Sequence, residues 1–459
     1  MNAPAFYRPP APRPKSAAGA LASAMLLGKR DILNLLPEGA YRTLLGKAPI
    51  GKRPIFIVNH PEFVRRVLIK DVDAFPKSDL MVSALEPLVG DGVFISGGER
   101  WSHQRAMIDP AFAHMRIKTA FGQMVDAVGE FEARFDALAA SGETALLDEE
   151  MSHLTADIVF RTIFSKPIVG ADARAVFHAF AAYQNAVPQI EPKVLLGSRA
   201  WETIETPREV RETCATIREK LAVLIDERMD GGGDFQDIAA DVIAARHPDT
   251  GEAFSREELI DQIAVFFLAG HETSASALTW AFFILSQQPR AMAAIRAEVS
   301  EIVGDGPVAF RHIKALSYTR NVFREVLRLY PPVSFITRVA TRDMRLNEHD
   351  IPEGSLVVVS PWLIHRHRKY WRNPDAFSPE RFIGENERAI KPGTYLPFGL
   401  GPRVCSGASF ATTESVLILA SLARRFDFET LNAGDVEPVG KLTTRPKTPV
   451  RIRLAPRSA

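Results

Sequence analysis

The longest uninterrupted pattern in the chain lies between Ser255 and Pro289. There apolar residues fill nearly every face of a helical period, Ile263 to Leu268 and then Ala275 to Leu285. Ser255-Arg-Glu-Glu258 opens the run as a capping box, and Pro289 closes it. The spacing predicts a helix of ~33 residues, ~50 Å long at 1.5 Å per residue, buried because no face is consistently polar. The same period predicts helices over 19–36, 61–69, 99–138 (broken near Asp109-Pro110), 149–164, 171–187, 200–229, 235–246, 289–303, 317–330 and 408–422. Strand-like runs are Tyr41 to Leu45, Pro54 to Val58, Phe335 to Ala340 and Ser355 to Ser360. Lys77 to Phe94 reads as a loop of small and apolar residues, and Trp371 to Pro397 as an irregular stretch punctuated by proline. The sum is a mainly α (α+β) chain with minor β at both ends.

Length changes this picture little. At 459 residues the chain exceeds the size at which one core usually stops growing, which alone predicts two or three domains. The best linker, Met229-Asp-Gly-Gly-Gly-Asp234, reads instead as a loop between two helices, because the site residues below fall on both sides of it. We therefore expect one domain over 31–459, preceded by an arm over 1–30. Pro4, Pro9, Pro10, Pro12 and Pro14 make the start of the arm extended and partly disordered. Its apolar run, Ala17 to Leu27, is shorter than the ~20 residues that cross a bilayer. Gly-Lys-Arg follows that run where a signal peptide has small residues, so a cytoplasmic protein without a transmembrane anchor is expected. A net charge of +1 argues against nucleic acid as a main partner. Cys214 and Cys405 stand far apart with no C-x-x-C, which supports neither a disulfide framework nor a zinc site.

Chemistry concentrates in Tyr395-Leu-Pro-Phe-Gly-Leu-Gly-Pro-Arg-Val-Cys405-Ser-Gly407, which runs straight into an apolar helix. Backbone N–H groups and the helix N-terminus are expected to lower the thiol pKa there. A buried cysteine in a tight loop is the plain alternative. A second concentration is Ala269-Gly270-His271-Glu272-Thr273-Ser274, a polar island in the apolar helix that costs free energy unless satisfied or used. Its residues could bond back to i−4 carbonyls, and Gly270 suggests a local widening of the helix. Glu325-Val-Leu-Arg328 shares one helix face, and Trp101-Ser-His-Gln-Arg105 opens another helix.

Phe398-x-x-Gly401-x-Arg403-x-Cys405-x-Gly407 resembles the heme-binding loop of the cytochrome P-450 family at every fixed position. The polar island is similar to that family's oxygen-activation motif, Glu325-x-x-Arg328 to its E-x-x-R, and Pro379-Glu-Arg381-Phe382 to the segment supplying the third member of that network. The resemblance runs from about residue 35 to the end. It implies a cytochrome P-450 fold, a large helical domain with small β-sheets around a buried heme b. Cys405 would be the axial iron ligand. Thr273 would hold dioxygen and Glu272 would relay protons. Trp101, Arg105, Arg338 and Arg403 would bind the heme propionates, with Phe398 and Gly407 against the cofactor, while Glu325, Arg328 and Arg381 hold the loop. The implied activity is insertion of one oxygen atom from O2 into an apolar substrate by a monomeric enzyme. Electrons would come from NAD(P)H through a ferredoxin reductase and an acidic ferredoxin drawn to Arg366, Arg368, Lys369, Arg372, Arg116 and Lys118. A peroxide-driven enzyme, a heme-thiolate isomerase or a heme sensor would have no use for the Glu272–Thr273 pair. Substrate-facing segments implied by relatives, 77–94, 180–205, 264–269, 333–337 and 441–445, are mostly apolar.

Overall fold

The computed structural model describes residues 7–16, 19, 31–48, 52–168, 177–180, 182–183, 206–231 and 235–457. Most of the predicted apolar run at 17–27, much of helix 171–187, part of the glycine linker and the 184–205 segment lie outside the described residues. In chain order the α-helices are α1 (Pro61–Arg65), α2 (Asp79–Val89), α3 (Gly98–Ile108), α4 (His114–Ser141), α5 (Leu147–Phe164), α6 (Arg208–Asp230) and α7 (Ile238–Ala244). They continue as α8 (Arg256–Gln287), α9 (Pro289–Ile302), α10 (Phe310–Ala315), α11 (Ser317–Leu329), α12 (Pro361–Ile364), α13 (Gly384–Arg388) and α14 (Ala408–Arg425).

The capping box forms as read: Ser255 and Glu258 bond reciprocally, and α8 runs 32 residues to the proline stop. From Leu259 to Leu285 it is buried except at Ala269, Gly270 and Thr273. Such a helix is the axis of the main core, with α5 alongside it.

A four-stranded sheet, in the order β1 (Leu45–Ala48), β2 (Ile55–Val58), β7 (Leu356–Val359), β4 (Ile336–Val339), forms a second core with α1. Its β2 and β7 run parallel, Ile55 opposite Leu356. Smaller ladders are β5 (Met344–Leu346) with β6 (His349–Ile351), and β9 (Pro438–Gly440) with β10 (Thr444–Pro446). A further sheet joins β3 (Ala145–Leu146), β11 (Arg451–Pro456) and β8 (Phe426–Thr430).

Two sequence expectations need correction. The first strand begins at Leu45, where Tyr41 to Leu45 was expected. Lys77 to Phe94 is largely α2, capped by the Ser78 side chain on the Met81 N–H. Its apolar residues at 81, 82, 85, 88 and 89 carry a helical period, and Pro87 near the end does not break it.

Residues 7–16 of the arm lie against the body. The Tyr7 carbonyl accepts from Phe377 N–H (3.0 Å), the Pro10 carbonyl from Tyr330 O–H (2.5 Å) and the Lys15 carbonyl from Glu38 N–H (2.8 Å). No helix among the described residues is long and apolar enough to cross a membrane.

Candidate functional site

The cysteine loop folds back on itself through Cys405 N–H to the Phe398 carbonyl (3.0 Å) and Val404 N–H to the Gly401 carbonyl (3.0 Å). Gly399 and Gly401 have φ of 81° and 80°. A Cβ at Gly401 would stand 2.2 Å from the Leu68 carbonyl oxygen, so only glycine lets the loop seat on the end of the α1 region. Ser406 ties the loop to Asp109 (2.9 Å), which also meets Arg105 of α3 in an ion pair at 2.6 Å. Cys405 keeps open surface although protein surrounds it on most sides. Burial pushes its thiol up, against the opposing pull of the Gly407 N–H and Arg105. The expected lowering is thus reversed by desolvation. A metal ion at the sulfur deprotonates a thiol outright, which the protein alone does not do here.

Cations converge beside the loop: Arg105 is paired with Asp109, while Arg338 and Arg403 keep buried N–H groups without a partner among the described residues. The Arg403 guanidinium lies 5.4 Å from the Trp101 ring centroid. Arg338 donates to the Thr337 carbonyl (2.9 Å), but its Nε, like Nε and Nη1 of Arg403, is buried without a partner among the described residues. Burial and then Arg403 hold Arg338 down at about 10. Lys77, which the sequence reading did not single out, donates to the carbonyls of Val93 (2.8 Å) and Ser96 (2.9 Å). Its pKa falls to about 6 through burial and the charges of Arg403, Arg338 and Arg105. Four clustered basic side chains, two of them arginines with orphaned N–H donors, fit an anionic ligand of more than one charge.

The loop's far side rests on a closed network. Glu325 and Arg328 of α11 are wholly buried and joined twice, at 2.7 and 2.8 Å. Arg381 Nε reaches Glu325 at 3.1 Å, and Ser378 N–H at 2.9 Å. Arg328 also donates to the carbonyls of His365, Pro374 and Ala376, so one guanidinium collects the irregular segment before the loop. His365 accepts from Leu396 N–H at 2.7 Å, and burial with the nearby Arg328 charge holds it neutral at about 3. No motif pointed to His365, which stood only within a basic run. In that run Arg366 is buried with its guanidinium 3.7 Å from the Trp362 ring centroid, which removes it from the expected basic rim. Arg368 pairs with Glu38 (3.1 Å) and Arg116 with Asp241 (2.7 Å), whereas Lys369 and Arg372 are exposed.

Within the buried stretch Leu259 to Leu285 of α8, the three residues with open surface sit at i, i+1 and i+4, on one side of the helix. Thr273 Oγ1 donates back to the Ala269 carbonyl (2.7 Å). The helix is α throughout, so the expected widening at Gly270 is absent. Gly270 answers to packing instead: a Cβ there would lie 3.0 Å from Val159 of α5. Glu272, 2% exposed, is bonded to Thr443 (2.6 Å) and to Arg445 through both oxygens. Ser274 donates to Glu414 of α14 at 2.8 Å.

A family model described as Cytochrome P450 matches residues 47–454. The chain belongs to the cytochrome P450 family. It is 31% identical over 421 residues to "Cyclooctatin synthase" of Streptomyces melanosporofaciens, covering 90% of this chain and 89% of that one. It is 30% identical over 435 residues to "Cyclooctat-9-en-7-ol 5-monooxygenase" of the same organism, covering 92% of each. Among solved structures, a cytochrome P450 named CYP102L1 superposes with a TM-score of 0.78 at 25% identity, covering 92% of this chain and 96% of that one. The P450DA heme domain shares the fold, with a TM-score of 0.79 at 24% identity over 90% of this chain and 89% of that one. Family membership implies a heme cofactor and heme-thiolate monooxygenase chemistry in general, and the exposed cysteine beside arginines with unpartnered N–H groups fits a dianionic heme.

Proposed function

We propose that this protein is a monooxygenase that inserts one atom of dioxygen into an apolar, carbocyclic substrate by hydroxylation or epoxidation. It draws electrons from NAD(P)H through a ferredoxin reductase and a ferredoxin. The observation that carries the reading is the set of Lys77, Arg105, Arg338 and Arg403 gathered beside the exposed Cys405, with buried N–H groups of Arg338 and Arg403 left without a partner among the described residues. The relative that is a monooxygenase acting at position 5 of cyclooctat-9-en-7-ol supports the substrate class.

Heme, when bound, supplies dioxygen activation and electron transfer at its iron. Cys405 Sγ is the ligand for that iron, and Arg105, Arg338, Arg403 and Lys77, with Trp101, bind the two propionates. Phe398 and Gly407 line the loop against the cofactor, and Glu325, Arg328 and Arg381 fix the segment that precedes it. Ala269, Gly270 and Thr273 form the open strip of α8, where Thr273 Oγ1 can accept a hydrogen bond while its own O–H donates to the Ala269 carbonyl. Half-buried Phe335, Ile336 and Leu442 supply apolar surface nearby. Both cysteines are free thiols, consistent with a reducing compartment such as the cytoplasm.

The CO-bound, reduced protein should show the long-wavelength absorbance of thiolate ligation. Cys405→Ser should abolish that band and Cys214→Ser should leave it. Product formation should require NAD(P)H with a ferredoxin system. A normal band in Cys405→Ser would refute the ligand assignment.

A further inference from the structure

Asp109 sits where α3, the helix carrying Trp101 and Arg105, gives way to the single turn Asp109–Phe112. Its own N–H closes α3 on the Arg105 carbonyl, so residues 105 and 109 lie one above the other on the same helix face. One carboxylate oxygen, Oδ1, serves two partners. Arg105 Nε meets it in an ion pair at 2.6 Å, and Ser406 Oγ donates to it at 2.9 Å. Ser406 stands 297 positions further along the chain and directly follows Cys405. A single carboxylate thus joins the end of α3 to the turn that holds the sulfur.

That turn is tight. Ala408 N–H donates to the Cys405 carbonyl (3.4 Å) and Ala411 N–H to the Gly407 carbonyl (2.8 Å), so the chain passes from the cysteine straight into α14. The Gly407 N–H bonds to the Cys405 sulfur, and the Arg105 charge also reaches it. Asp109 therefore touches the residue next to the sulfur on one side and a cation acting on that sulfur on the other. The two members of the ion pair are unequally placed. The Arg105 side chain is 16% exposed and that of Asp109 47%. Water screens the carboxylate more than the guanidinium, so the pair cancels only in part at the sulfur.

We propose that Asp109 is a positioning residue for electron uptake: anchored by Ser406, it sets how much of the Arg105 charge acts on Cys405 and on the iron it ligates, and so holds the reduction potential down. The inference rests on the heme-thiolate reading above. Positive charge beside the iron favours an added electron and negative charge opposes it. A carboxylate fixed against Arg105 therefore makes reduction harder. Without the Ser406 bond the carboxylate turns outward to water, and Arg105 acts with less opposition.

The test measures the midpoint potential of the heme-loaded protein by dithionite titration with mediator dyes, which needs no ferredoxin. Asp109→Asn keeps an oxygen for Ser406 and removes the charge. Its equilibrium constant for reduction should rise about two- to fivefold, a positive shift of ~20–40 mV at about 59 mV per tenfold for one electron. Asp109→Glu, which keeps the charge, should stay near the wild-type value. Asp109→Ser should show the same positive shift if the asparagine variant does not load heme. Ser406→Ala should move the potential in the same direction by less. The Asp109→Asn shift should shrink as salt is added, which a packing defect would not do. An Asp109→Asn protein with the wild-type potential, even one that melts earlier, would overturn the proposal, and a Ser406→Ala protein at that potential would overturn the anchor. Absence of the thiolate CO band from the wild type would instead remove the reading on which the inference rests.

Discussion

Lys77 behaves unlike any residue its local sequence would suggest. An ammonium pushed to about 6 by burial and three guanidiniums costs the fold free energy unless an anion arrives. If a heme propionate is that anion, Lys77 regains its charge on binding and contributes a charge-assisted hydrogen bond of about 1.5–3 kcal/mol. Lys77→Met should then speed heme transfer to a heme-free globin about 10- to 100-fold, and an unchanged transfer rate would exclude the contact. The motif residues were legible because fixed spacing is a property of the chain itself. Cys405, Arg403, Glu325 and Arg328 stand in local patterns, and the structure brings Glu325, Arg328 and Arg381 into contact. Lys77 and His365 were not legible. Their character comes from neighbours outside their local sequence: Arg338 and Arg403, hundreds of positions away, for Lys77, and Leu396, 31 positions on, for His365. The thiol was misread for the same reason: a helix N-terminus is visible in sequence, but the depth of burial that outweighs it is not.

Between elements, α8 and α14 share a buried polar contact, Ser274 to Glu414. Glu414 is wholly buried, its Oε1 has no partner among the described residues, and burial raises its pKa from the usual 4.5 to about 8. Between those two values the folded chain holds a proton that the unfolded chain has released. Stability therefore falls as pH rises through that window, by at most about 1.4 kcal/mol per pH unit. Glu414→Gln is neutral throughout and lacks this slope. Its melting temperature relative to wild type should climb from pH 5 to pH 8 in thermal scans, whereas a constant offset would mean the carboxyl is already ionised. Long elements with strong periods, α4, α5, α8 and α14, were readable almost to their ends. The residues of α2 carried the period too, but a stretch rich in small and apolar residues read as a loop. The strands of 3–6 residues after residue 425 escaped, since β9 and β10 become strands only through each other and through the helix they brace.

Over the whole molecule, charge nearly cancels, so any attraction for a redox partner must come from a local face. The basic run that suggested such a face is reduced by the fold: Arg366 is interior, and Arg368 is matched by Glu38. Lys369 and Arg372 remain outward. Lys369→Glu with Arg372→Glu should slow reduction by an acidic ferredoxin at low salt and flatten its salt dependence, while dithionite reduction stays unchanged. Equal ferredoxin-driven rates at low salt would place docking elsewhere. The clustered cations carry a consequence for how the protein is made. Lys77, Arg105, Arg338 and Arg403 belong to distant parts of the chain, and Gly440 is fastened to Asp31 across a separation of 409 residues. A ribosome adding about 5–20 residues per second leaves Lys77 waiting about twenty seconds to a minute for Arg403. The nascent chain thus cannot close its own charge cluster early, and the prosthetic group must be captured at the end of translation, as one of the last steps of folding.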